Sequence, residues 1–268
     1  MSDRTKARFT TSHAVRAALL VAIGLVLEFG LPPVLHLPAL HSWSRQALGQ
    51  FGFYELYIGC EFVLIVGAVM ALGRASLGRA LGELGIARLA PPGCLCCLAA
   101  IAGAWGVLLW GGAKWTPQPA DSLVLFGVVG PFVEEVLFRG FLFRQMRRWA
   151  GMPFWIAAIL ASLLFGAGHF DQRSSFANAV MNGTITFAGG VLFCWLAERW
   201  NSIWPGFVIH AGLNLLWSVY TLGSNAVGGE AGNLARVAAV VIAIVLTRRL
   251  SRRYSASGSA PGQTLPTS

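Results

Sequence analysis

Long apolar segments recur along the whole sequence, and they constrain its fold more than any other feature. Each is close to the length that a helix needs to cross a hydrocarbon layer of about 30 Å, at about 1.5 Å per residue. There are eight such segments, at about 17–37, 56–73, 93–113, 122–143, 153–170, 180–197, 203–222 and 232–247. We therefore predict an all-α protein, a polytopic membrane bundle of about eight transmembrane helices.

The composition supports this prediction. Only 12% of the residues are charged and 56% are apolar, and the mean hydropathy is +0.64. Soluble domains carry about 25% charged residues, and disordered chains are poor in apolar ones. We expect a single integral membrane domain over residues 1–250. The Ser-, Gly- and Pro-rich segment 251–268 lacks apolar periodicity and is predicted to be a disordered cytoplasmic tail.

The basic charge of the chain predicts its orientation. The sequence has 20 Lys and Arg against 11 Asp and Glu, a balance that in a soluble protein would suggest nucleic acid. Most of the basic residues lie in alternate connecting segments, which is the pattern of cytoplasmic loops when the N-terminus is cytoplasmic. We therefore expect both termini in the cytoplasm, a lipid bilayer around the chain and no nucleic-acid partner.

Several polar residues lie inside the predicted spans, where a charged side chain costs at least about 2.5 kcal/mol and usually serves a function. The fourth, fifth and seventh segments contain, in chain order, Glu134, Glu135, Arg139, His169, His210 and Asn214. Glu28 and Glu61 are single carboxylates in the first two segments, and we interpret them as structural or as reaching toward the interface.

The spacing of these residues predicts which side chains meet. Glu135 and Arg139 are four residues apart and can form an ion pair on one helix face, whereas Glu134 points about 100° away. Glu134 and His169 lie a similar number of residues before and after the turn at 151–153. In an antiparallel pair of helices they should therefore lie at similar depth in the membrane. We expect Glu134, the two histidines and Asn214 to share one cavity.

These residue types suit hydrolysis. A carboxylate in a water-poor pocket can take a proton from water while an imidazole positions that water. A second imidazole and an amide can hydrogen-bond the developing oxyanion. The alternatives are a purely structural ion-pair network around Arg139 and interhelical hydrogen bonding by His210 and Asn214.

Three ordered motifs carry a family resemblance. EEVLFR at 134–139 fits E-E-x-x-x-R, FGAGH at 165–169 fits F-x-x-x-H, and HAGLN at 210–214 fits H-x-x-x-N. In this order and on separate spans, they resemble the CPBP family of CAAX proteases and bacteriocin-processing enzymes, also called the Abi family. The resemblance covers about 122–222, the expected catalytic core.

The resemblance implies an intramembrane endopeptidase that cleaves a membrane-associated protein or peptide. It implies that Glu134 and His169 activate water, that His210 and Asn214 support the oxyanion, and that Glu135 and Arg139 play supporting roles. The implied location is a plasma membrane, the inner membrane in a bacterium.

Some alternatives remain open at the level of sequence. A zinc site would use Glu134, His169 and His210 as three ligands with an open fourth position. We expect a metal-free site, because no HExxH motif occurs and the glutamate mechanism works without metal. The rival functions are a transporter with a polar relay and a non-catalytic immunity protein.

Overall fold

The computed structural model describes residues 11–170, 175–222 and 228–256, with side chains described to residue 251. These residues form ten helices. In chain order, they are α1 (Thr11–Leu35), α2 (Pro38–Leu48), α3 (Gly52–Gly73), α4 (Leu77–Glu83), α5 (Pro91–Trp110), α6 (120–148), α7 (Phe154–Gly168), α8 (Phe176–Trp200), α9 (Trp204–Val219) and α10 (Glu230–Ala256).

Each of the eight predicted spans corresponds to one of these helices, and the predicted helical membrane bundle is confirmed. Five helices, α1, α3, α5, α8 and α10, are long and apolar enough to cross a membrane by length and composition. Helix α7 is apolar but shorter, α9 has 16 residues, and α6 carries the charged residues of the E-E-x-x-x-R motif. The chain is an integral membrane protein.

Helix α6 lies at the centre of the bundle. It packs against α1, α3, α7, α8 and α9, and every residue from 136 to 146 is buried. Residues 136–146 are apolar on nearly all sides of the helix, apart from Arg139 and the polar residues at the end of this segment. A helix that is apolar all round is buried among its neighbours. A helix surrounded in this way can present side chains to several neighbours at once.

Two helices contain wide π-helical turns ahead of their prolines. In α1 the turn Val26–Gly30 is closed by the Leu31 N–H donating to the Val26 carbonyl, and Pro32 follows. In α6 the turn Leu125–Val129 precedes Pro131 in the same way. Proline has no N–H to donate to the carbonyl four residues back, so the helix continues past each proline with altered local geometry.

The outer connections and the C-terminal end complete the described fold. A short antiparallel pair, β1 (Lys114–Trp115) with β2 (Tyr220–Thr221), joins the segment after α5 to the end of α9. Helix α10 continues to Ala256, so it extends into the segment that is predicted as a tail from residue 251. Residues 257–268 of that predicted tail lie outside the described residues.

Candidate functional site

Two adjacent carboxylates of α6 meet the two nitrogens of one histidine. Glu135 Oε1 lies 2.9 Å from Nδ1 of His210, and Glu134 Oε2 lies 3.5 Å from its Nε2. Adjacent helical residues point about 100° apart, so both carboxylates reach the same ring only because the imidazole of α9 lies between them. Glu135 is fully buried, whereas 32% of the Glu134 side chain is exposed. Glu134 is therefore the carboxylate that an added molecule can reach.

Arg139 completes the buried side of this arrangement. Its guanidinium lies 3.1 Å from Glu135 Oε1, which is the i,i+4 pair that the spacing predicts, and both side chains are buried. The guanidinium also lies over the rings of Phe165 and Phe193, at 4.2 and 4.9 Å from their centroids. The same oxygen of Glu135 thus forms the ion pair with Arg139 and the hydrogen bond with His210 Nδ1.

The position of His210 is fixed by packing as well as by Glu135. Its ring stacks on Phe193 at 5.3 Å between centroids and meets the edge of Phe165 at 5.6 Å. Gly206, one turn earlier in α9, leaves room for the carboxylate, since a Cβ there would lie 2.8 Å from Glu135 Oε2. The glycine allows α9 to approach α6 closely enough for the histidine contact.

His169 caps the C-terminal end of α7. Its Nδ1 lies 2.9 Å from the Phe165 carbonyl, and its own carbonyl accepts a hydrogen bond from the Asn182 side chain of α8. A carbonyl only accepts, so Nδ1 carries the proton and, in the neutral ring, Nε2 is left as an acceptor. That is the tautomer that can receive a hydrogen bond from water.

Phe165 links the two histidines. It contacts the ring of His169 at 4.7 Å and that of His210 at 5.6 Å between centroids. Within the described residues, no hydrogen bond or ion pair joins His169 to Glu134. Glu134 thus contacts His210 directly, whereas His169 is connected to His210 through this common aromatic neighbour. That these side chains share one cavity stays a prediction.

Asn214 lies one turn after His210 on α9 and is half-buried. Its backbone carbonyl accepts from Ser218, and its side-chain amide has no hydrogen bond to another described residue. An amide without a protein partner is able to donate to a bound molecule.

Three residues near Glu134 were not assigned to the site from sequence. Glu28 of α1 and Glu61 of α3 both lie close enough for their charges to interact with Glu134, and Tyr57 donates to Glu61 Oε1 at 3.4 Å. The interpretation of Glu28 and Glu61 as structural carboxylates, or as carboxylates that reach toward the interface, does not account for these charge interactions with Glu134. The available signal was the cost of a carboxylate inside a span, which applies to Glu28 and Glu61 as it does to Glu134.

The zinc alternative concerns three of these side chains. It requires Glu134, His169 and His210 around one ion, but the described residues contain no group of three His, Cys, Asp or Glu side chains placed to hold a metal. The Nε2 atom of His210 faces Glu134 at 3.5 Å, and its Nδ1 is occupied by Glu135.

A largely apolar groove lies between α3 and α6. It has a volume of about 640 Å³, and its walls include Phe62, Val129 and Val133. Val133 directly precedes Glu134, so the groove runs along the helix that carries the exposed carboxylate.

Comparison with known proteins identifies the segment that holds the three motifs. Residues 116–216 match a family model described as type II CAAX prenyl endopeptidase Rce1-like. No curated protein and no solved structure matches the chain. The matched segment includes Glu134, His169, His210 and Asn214, and it overlaps most of the predicted core at 122–222. Over residues 116–216 the chain is thus similar to the Rce1-like CAAX protease family, a family of peptide hydrolases.

Proposed function

We propose that this protein is an intramembrane endopeptidase that hydrolyses a peptide bond of a membrane-associated protein or peptide. The observation that carries the proposal is the partly exposed carboxylate of Glu134, 3.5 Å from His210, whose other nitrogen is held by buried Glu135. The family match supports peptide hydrolysis as the reaction class.

In the proposed mechanism, Glu134 takes a proton from a water molecule, and the resulting hydroxide oxygen attacks the peptide carbonyl carbon. The unprotonated Nε2 of His169 accepts a hydrogen bond from the same water and orients it. The proton held by Glu134 then passes to the leaving amine, which completes the cleavage. No nucleophilic side chain is needed.

The carbonyl oxygen of the substrate becomes negatively charged when the water attacks, and this oxyanion needs hydrogen-bond donors. We assign this role to the side chains of His210 and Asn214, one turn apart on α9. Glu135 and Arg139 hold the imidazole in place and have no contact with substrate in this scheme.

The groove between α3 and α6 supports a substrate that is itself in or at the membrane. Its lining is largely apolar, so it suits an apolar segment placed beside Glu134. We also propose that both termini are cytoplasmic, as the distribution of Lys and Arg indicates, and that the site functions without a metal ion.

The direct test is cleavage of membrane-associated peptides by the purified protein in detergent, with the products identified by mass spectrometry. Metal content is measured on the same sample, and the assay is repeated with a chelator. Cleavage at a defined bond by metal-free protein supports the proposal. Activity that is lost with the chelator and restored by zinc would contradict the metal-free mechanism.

A relay for protons is the second candidate, because the carboxyl groups of Glu28, Glu61 and Glu134 interact across α1, α3 and α6. Chains of such groups occur in pumps and transporters. Reconstitution in liposomes with a pH-sensitive dye separates the two functions. A protease without relay function should leave the proton permeability of the vesicles unchanged.

A further inference from the structure

Besides the groove between α3 and α6, a smaller cavity lies at the end of the bundle where α1 begins and where α3 and α6 end. It has a volume of about 260 Å³ and is lined by Arg16, Leu19, Leu20, Leu72, Gly73 and Trp149. Arg16, Leu19 and Leu72 are exposed, so the cavity lies at the outer surface of the bundle. It combines a cation with apolar walls and an indole ring, and the proposed peptidase mechanism uses none of these residues.

Arg16 forms one side of this cavity, and a hydrogen bond holds its side chain in position. Its Nη1 donates to the backbone carbonyl of Trp149 at 3.0 Å, which joins α1 to the end of α6. Within the described residues, Arg16 has no ion pair with a carboxylate, so the protein does not neutralise its charge there. A guanidinium has several N–H donors, and those that are left can bind the oxygens of a phosphate group.

The charges around the cavity favour an anion. Glu83 lies near it, since its Oε2 would be 3.6 Å from a Cβ at Gly73, but Glu83 is paired with Arg79 at 3.0 Å and does not line the cavity. Arg74 and Arg148 each adjoin a lining residue in sequence, and both are exposed. Positive charge therefore exceeds negative charge at the mouth of the cavity, and such a field attracts anions.

The apolar walls and the indole suit the other part of a lipid. Leu19 lies one turn deeper along α1 than Arg16, and it is 44% exposed, as Leu72 of α3 is at 43%. The ring of Trp149 packs on the end of α3, because a Cβ at Gly73 would lie 3.2 Å from its Cζ2. Tryptophan is enriched where headgroups meet the hydrocarbon layer, since its ring is apolar and its N–H is polar. The cavity thus offers a cation at headgroup level and apolar side chains next to it.

We propose that this cavity binds an anionic phospholipid, with Arg16 contacting the phosphate and the leucines contacting an acyl chain. The cavity is too small for a whole phospholipid, so the rest of the molecule stays in the bilayer. A zwitterionic lipid has the same phosphate but adds a cation, which the arginines repel. In the proposed orientation this end of the bundle lies at the cytoplasmic surface, where anionic lipids attract basic residues. The site is separate from the proposed peptidase function.

Native mass spectrometry of the purified protein in detergent tests the lipid preference. The protein is titrated with phosphatidylglycerol or with phosphatidylcholine of the same acyl chains, and wild type should bind phosphatidylglycerol about tenfold more tightly. Arg16→Gln can still donate to the Trp149 carbonyl but has no charge, so it should bind phosphatidylglycerol about fivefold more weakly. Arg249→Gln is the matched control and should bind as wild type does, because Arg249 is exposed at the same predicted surface but does not line the cavity. Equal affinity of wild type and Arg16→Gln for phosphatidylglycerol would overturn the proposal, as would a wild type without preference.

Two further measurements separate a lipid from a free phosphate ester. Leu72→Gln makes one wall polar and should weaken phosphatidylglycerol binding, whereas Leu89→Gln, at an exposed leucine outside the cavity, should not. Glycerol phosphate lacks acyl chains and should not displace the bound lipid at equal concentration. Displacement by glycerol phosphate, or full binding in Leu72→Gln, would contradict a lipid site. None of these measurements needs peptide cleavage, so they decide the lipid site whether or not the proposed function holds.

Discussion

Glu135 Oε1 lies 2.9 Å from His210 Nδ1 and 3.1 Å from the Arg139 guanidinium, so one fully buried oxygen joins two cationic or potentially cationic groups from two helices. This relationship connects α6 to α9 in the interior of the bundle. It also fixes which nitrogen of His210 is turned toward Glu134.

Removing the charge of Glu135 should mainly destabilise the protein. Glu135→Gln leaves Arg139 buried without its partner, and breaking a buried pair in this way costs about 3–5 kcal/mol. Unfolding in detergent, followed by circular dichroism, measures the change. The control is Glu198→Gln, since the Glu198–Arg147 pair is exposed at 40% and 31% and should contribute less than about 1 kcal/mol. Equal effects of the two substitutions would contradict this account.

A methyl group at Gly206 should separate α9 from α6. The Cβ of Gly206→Ala would lie 2.8 Å from Glu135 Oε2, so the carboxylate or the helix must move, at a cost of about 1–3 kcal/mol. Peptide cleavage should fall as well, because the position of His210 depends on this contact. Gly67→Ala in α3 is the matched control, as its Cβ would meet nothing within 4 Å. Similar stability and activity of the two variants would show that the close approach has no role.

The sequence predicts local relationships in this protein better than long-range ones. The i,i+4 spacing of Glu135 and Arg139 predicts their ion pair because both lie on one helix, and the apolar segments predict the helices for the same reason. The contact of Glu135 with His210 joins residues 75 positions apart, and no periodicity encodes the relative placement of two helices. For the same reason, the sequence does not predict that the charges of Glu28 on α1 and Glu61 on α3 interact.

The amide of Asn214 should matter in the transition state. It has no described side-chain partner and lies one turn from His210, so Asn214→Ala removes a donor without breaking a visible contact. We expect kcat to fall by about 10²-fold with little change in KM and in stability. Steady-state kinetics on a cleaved peptide gives both constants. A rise in KM at constant kcat would assign Asn214 to substrate binding instead.

The orientation in the membrane follows from the distribution of basic residues. Reporter fusions at positions 90, 148 and 260 should be cytoplasmic, and fusions near 45 and 228 should be external. Paired reporters that are active on opposite sides of the membrane make each fusion its own control. External activity at position 260 would reverse the predicted orientation.

Cleavage of a membrane-associated peptide by Glu134→Gln protein, compared with wild type, tests the central claim most directly. Glutamine keeps the shape of the side chain but cannot take a proton from water, so the cleavage rate should fall by at least about 10²-fold. The fold should be retained, because Glu134 is partly exposed and its neighbour Glu135 keeps the ion pair with Arg139. Full cleavage activity in folded Glu134→Gln protein would contradict the account.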